Sequence, residues 1–131
     1  VRAVSWSIER ITDDEMEQFD DIFRYMEFYT KKNDIHMMMY ANSAFHRHIY
    51  KTSHDRMLDK TLTTYFNYCK YSCPPNYFAP KFLDKTLEER RRIYSAYLKK
   101  DVTSGARAMK LHMNSTIKRA IANINLNIYE K

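Results

Sequence analysis

Apolar residues recur along this chain at intervals of three and four, the spacing that lines side chains up on one face of an α-helix. Between 35 and 49 the face is Ile35, Met38, Met39, Phe45 and Ile49. Upstream, Met16, Phe19, Phe23 and Met26 repeat the pattern. Thr12-Asp13-Asp14-Glu15 in front of them is a capping box, with Ile11 and Met16 placed as a hydrophobic staple. The pattern predicts one helix to about Lys32 and another from about Asp34 to Lys51. Ser53 is placed to cap a fourth helix, from about Asp55 to Ser72, facing inward through Leu58, Leu62, Tyr65 and Cys69. Cys73-Pro74-Pro75 ends it, because proline lacks the amide hydrogen and clashes with the preceding turn.

A loop over residues 73–85 follows. Thr86 to Glu89 then reads as a second capping box, opening a helix to about Lys100 with Leu87, Tyr94 and Tyr97 on one face. Asp101 caps a last helix from Val102 to about Ile124, whose stripe is Val102, Ala106, Met109, Met113, Ile117, Ala120 and Ile124. Residues 1–10 read as the end of a helix begun upstream, since Trp6 and Ile8 do not complete an amphipathic unit. The chain is therefore expected to be one domain cut from a longer protein. The predicted fold class is all-α, an antiparallel bundle of about six helices.

Composition narrows this picture. One Gly and three Pro in 131 residues leave too few turns for a sandwich or barrel. At 44% hydrophobic and 29% charged residues, the chain is expected to be soluble and globular. It has no apolar run near the roughly 18 residues of a membrane span, and no signal-peptide core. Its two cysteines, Cys69 and Cys73, point to a reducing cytoplasm and to free thiols, because a zinc site would bring a second pair. The net charge of +6 is spread over several helices, with Arg90-Arg91-Arg92 the densest cluster, and reads as solvated faces.

Polar residues break the apolar stripes at a few places. Asn42 and His46 fall inside the stripe of the third predicted helix, four apart and therefore facing the same way. Arg90 lies on the stripe of the fifth and His112 within that of the sixth. A buried polar group without a partner costs roughly 1–3 kcal/mol, and an unpaired charge costs more. Four such residues predict an internal pocket, with Tyr94 as a further lining residue. His36, His48 and His54 are expected at the surface or at helix ends. The many Tyr and Phe exceed what a minimal core needs and leave some for a pocket or a dimer face.

At these residues the sequence resembles the FCD domain, the effector-binding half of the FadR-type branch of GntR transcription regulators. The likeness runs from about Ile8 to Met113. It rests on Ile11-Thr12-Asp13-Asp14-Glu15, Asn42-Ser43-Ala44-Phe45-His46, Ile49, Ser53, Glu88-Glu89-Arg90-Arg91-Arg92-Ile93, Ala96, Asp101 and Ala108-Met109-Lys110-Leu111-His112-Met113. The resemblance implies a homodimeric regulator. Its operator DNA is bound by a winged helix-turn-helix domain missing from this chain, and its bundle binds a small organic acid. It also implies a divalent metal, zinc or nickel, with Asn42, His46 and His112 at three of the ligand positions. The remaining position, a histidine in the family, is Arg90 here. Guanidinium is always charged and cannot ligate a cation, so the site is expected to be lost or weak, with Arg90 free to take a carboxylate directly.

Two other classes stay in view. A metal-dependent helical-bundle enzyme needs carboxylates facing His46 and His112, whereas the acidic residues, Asp13, Asp14, Glu88 and Glu89 among them, are expected at caps and outer faces. A basic helical adaptor predicts salt-sensitive binding of nucleic acid by this chain alone. No nucleophile with an oriented base, phosphate loop or cofactor fingerprint occurs, so no enzymatic activity is expected.

Overall fold

The computed structural model describes residues 1–72 and 83–129, with side chains except at 69–72, 119–120 and 123–129. Helices α1 (Arg2–Arg10), α2 (Asp13–Lys31), α3 (Ile35–Thr52), α4 (Arg56–Ser72), α5 (Leu83–Leu98) and α6 (Val102–Tyr129) follow one another, and no strand occurs among the described residues. Of the loop expected over 73–85, residues 73–82 lie outside them, as do the side chains of Cys69 and Cys73, while 83–85 are already helical. Helix α2 packs along α3 and α5 along α6, while α1 lies against α6 and α3, and α4 against α3. No described helix is long and apolar enough to cross a membrane.

Each helix starts and stops for a local reason. The Thr12 hydroxyl accepts from the Glu15 amide while the Glu15 carboxylate accepts from the Thr12 amide, so the predicted capping box is formed. Asp34 and Asp101 cap α3 and α6 through the amides of Met37 and Ser104. Three turns share one device: Asn33, His54 and Lys100 have positive φ, and an aspartate follows each. At the end of α2 the amides of Asn33 and Asp34 donate to the carbonyls of Thr30 and Tyr29, and at the end of α5 those of Lys100 and Asp101 donate to Tyr97 and Ala96. This is the Schellman closure, and the same aspartate then caps the next helix, which keeps both connections short.

Several sequence expectations need correction. Helix α4 is capped by Asp55, which accepts from the Leu58 amide; Ser53 instead closes α3, its hydroxyl donating to the Tyr50 carbonyl. Helix α5 begins at Leu83, so Thr86 is a buried residue of its first turns and not a cap. In α4, Tyr65 is exposed and Phe66 is the half-buried aromatic. In α6 the inward face is Gly105, Met109 and His112, while Met113 and Ile117 are exposed. The true stripe is offset from the expected one, with Gly105 in place of Ala106 at the point where Val4 and Ile8 of α1 come close. Helix α1 is amphipathic in its own right, burying Ala3, Val4, Ser7 and Ile8.

The core is centred on Phe19, Met26, Met38, Phe45, Ile49, Leu83 and Ile93. Phe19 stacks on Phe45 at 4.7 Å between ring centroids. A buried polar chain ties α1, α3 and α5 together: the Tyr97 hydroxyl donates to Ser7 Oγ at 2.7 Å, Ser7 pairs with Thr52 at 2.6 Å, and Thr52 donates to the His48 carbonyl. Helices α1 and α6 touch at Gly105, where an added Cβ would stand 2.3 Å from Ile8 Cδ1 and 3.2 Å from Val4 Cγ1. Gly105→Val is expected to lower stability by about 1–3 kcal/mol through overpacking, read as a lower urea midpoint with an unchanged slope.

Candidate functional site: a buried arginine and its partners

Arg90 projects from α5 into the bundle and is only 4% exposed. Its guanidinium cannot be discharged, so it needs acceptors. Its Nε donates to Asn42 Oδ1 of α3 at 2.9 Å. Its Nη1 stands 2.9 Å from His112 Nδ1 of α6 and 3.4 Å from the carboxylate of Glu89. The guanidinium does not snorkel to water; α3, α5 and α6 meet around it.

The His112 Nδ1 atom is also 2.9 Å from Glu89 Oε2. One ring nitrogen cannot accept from Arg90 and donate to Glu89 at the same time. With the proton on Nε2, Nδ1 serves the arginine; with it on Nδ1, it serves the carboxylate. Glu89 and Arg90 thus compete for one atom.

His46, one turn beyond Asn42 on α3, is fully enclosed. Its ring lies 5.6 Å from that of His112 and 5.2 Å from that of Phe66, centroid to centroid. No hydrogen bond reaches it among the described residues. Burial, then the charges of Arg90 and His112, hold its pKa well below the ordinary histidine range, so its imidazole is neutral.

The structure therefore gathers Asn42, His46, Arg90 and His112, as the stripes predicted, but not Tyr94. The Tyr94 ring stacks on Phe23 at 4.4 Å and its hydroxyl bonds Asp20 on α2; burial, and after it the Asp20 carboxylate, pushes its pKa up to about 12. Two residues were misread. Glu89 was expected on an outer face, yet its side chain is 12% exposed and bonded to His112. Its spacing from Thr86 and Ile93, three and four residues away and both buried, is the signal that places it inward. His48 is buried, its Nε2 bonded to the Glu15 carbonyl at 2.8 Å and its ring stacked on Phe19, whereas His36 and His54 are exposed as expected. The spacing of His48 from Phe45 and Thr52 carried the same kind of signal.

Two of the possible metal-ligating atoms are engaged elsewhere. Asn42 Oδ1 and His112 Nδ1 both point at the guanidinium, which itself repels cations. Among the described residues no group of three or more His, Cys, Asp or Glu is placed to hold a cation. Beside this cluster a cleft of about 200 Å³ opens between α5 and α6, lined by Lys85, Glu89, Arg92 and His112 among others.

An all-helical bundle with a polar cluster enclosed by three of its helices is the architecture that the sequence resemblance implied. The chain belongs to the FCD domain family, whose pattern it matches over residues 1–115. Its fold is similar to that of E. coli McbR/YncC, with a TM-score of 0.81 at 18% sequence identity, over 93% of this chain and 58% of that one. The chain thus spans little more than half the length of that protein. No curated protein matches the sequence.

The lowered pKa of His46 has a consequence for stability. As pH falls below about 6.5 the unfolded chain takes up a proton at this residue and the folded chain does not. Stability is then lost, by up to about 1.4 kcal/mol per pH unit, until the folded-state pKa is reached. His48, shifted in the same direction, adds to the slope. Denaturant titrations between about pH 7 and about pH 5.5 are expected to show a shallower decline for His46→Gln than for the wild type.

Proposed function

We propose that this chain is the ligand-sensing domain of a GntR/FadR-type transcription regulator. It binds a small carboxylate-bearing metabolite at Arg90, His46, His112 and Asn42. Binding adjusts how a winged helix-turn-helix domain, N-terminal to the bundle in the full protein, sits on its operator. The observation that carries this reading is His46: an enclosed, neutral imidazole with no hydrogen bond from the described residues, beside a fixed positive charge. Leaving such a group unmet costs about 1–3 kcal/mol, which a bound molecule with a hydroxyl or carboxylate recovers. Family membership supports the regulatory role. In this reading the bundle shifts between geometries of differing ligand affinity and performs no chemistry, and the regulator is a cytoplasmic homodimer. The exposed Tyr25, Phe28, Met37 and Tyr40 on the α2–α3 side offer apolar area for that contact.

The arginine takes the metal's place in this reading. It supplies the positive charge that would anchor the effector's carboxylate, and it engages Asn42 Oδ1 and His112 Nδ1, two atoms that could otherwise ligate an ion. A metal-dependent enzyme gains one carboxylate from the position of Glu89, but the guanidinium beside it disfavours the cation.

Two outcomes are expected. In a thermal-shift screen of organic acids, sugar acids and fatty acyl compounds, hits should carry a carboxylate, and Arg90→Met should abolish the shift; hits confined to uncharged compounds would overturn the reading. Metal analysis of purified protein should find well under one divalent ion per chain, and Arg90→His should raise the affinity for zinc or nickel if the bundle geometry survives. One tightly held ion per wild-type chain would refute the loss of the metal site.

A further inference from the structure

The cleft between α5 and α6 and the buried guanidinium are separated by a thin wall. Glu89 and His112 line the cleft and also touch Arg90, which does not itself line it. Arg90 therefore lies directly behind those two side chains. The cleft walls carry two cations, Lys85 and Arg92, against the carboxylates of Glu88 and Glu89. A volume near 200 Å³ suits a molecule of a small organic acid's size.

We propose that the Glu89 carboxylate is a built-in stand-in for the effector's carboxylate, and that an anion entering through the α5–α6 cleft displaces it. This rests on the proposed effector site and adds how that site is kept closed. Three features carry it. Glu89 presents to Arg90 and His112 the group that an organic acid would present. It competes with Arg90 for the same His112 nitrogen, so the closed arrangement leaves one of two hydrogen bonds unmade. It stands between open cleft and buried charge, so its displacement joins the two. The bridge from Glu89 of α5 to His112 of α6 also pins these helices together, so its release is the step that would let them shift. Glu89 thereby sets the threshold of response, since an acid must outcompete a tethered carboxylate.

Acetate serves as the probe. Removal of the side chain in Glu89→Ala leaves a seat that free acetate can fill. The variant's Tm is expected to rise saturably with acetate, by about 4 °C per kcal/mol of binding energy, relative to chloride at the same ionic strength. Wild type should show no acetate-specific rise over the same range, and Glu89→Ala combined with Arg90→Met should show none either. If Glu89→Ala does not fold, the isosteric Glu89→Gln replaces it, with the His112 ring resonances followed by NMR. Acetate should then shift them at a concentration at least tenfold lower than in the wild type. No acetate-specific effect in either variant overturns the proposal. An equal effect in wild type and variant also overturns it, but leaves the carboxylate site standing. A rise confined to the variants, with an organic-acid screen of the wild type empty, supports Glu89 as the occupant and removes the effector reading.

Discussion

A guanidinium enclosed in a helical bundle sets the terms for everything around it. Arg90 carries a charge at every physiological pH, and its burial is tolerated only because neighbouring helices bring acceptors to it. Asn42 comes from α3, Glu89 from α5 itself and His112 from α6. Each of them offers the buried charge an acceptor. The relative register of α3, α5 and α6 is therefore fixed by electrostatics as well as by packing.

The rest of the bundle holds those helices at the required distance. Gly105 lets α1 approach α6, and the Tyr97–Ser7–Thr52 chain ties the same α1 to α3 and α5. The turns after α2 and α5 use one aspartate to close the old helix and cap the new one, leaving little slack. A rigid frame of this kind suits a sensor, because a change in one polar contact must then be expressed as a movement of helices and is not absorbed by loops.

Within that frame the polar cluster is uneven. Arg90 and Asn42 are well matched, His112 is claimed by two neighbours, and His46 has no hydrogen bond among the described residues. A purely structural cluster would be expected to settle these mismatches, since each costs stability. They occur at one spot, beside a cleft whose walls set Lys85 and Arg92 against Glu88 and Glu89, and this is why the proposed effector site is drawn there.

Much of this was legible in the sequence. Helical periodicity gave the number of helices, the Thr12–Glu15 box and Asp101 gave their starts, and the inward phase of Asn42, His46, Arg90 and His112 followed from the stripes they interrupt. These are local properties, decided by residues within a turn or two of one another, and the chain writes them directly. Glu89, His48, Tyr94 and the true face of α6 were not legible in the same way. Periodicity shows which residues share a face but not which of two adjacent faces meets a neighbour: of the adjacent pair His112 and Met113, both placed inward by the stripe, only His112 is buried. The partners that settled the matter are 48 residues away in the case of Asn42 and Arg90, and 22 in that of Arg90 and His112. Such contacts form only when whole helices have packed, so tertiary structure alone decided which polar groups satisfy one another.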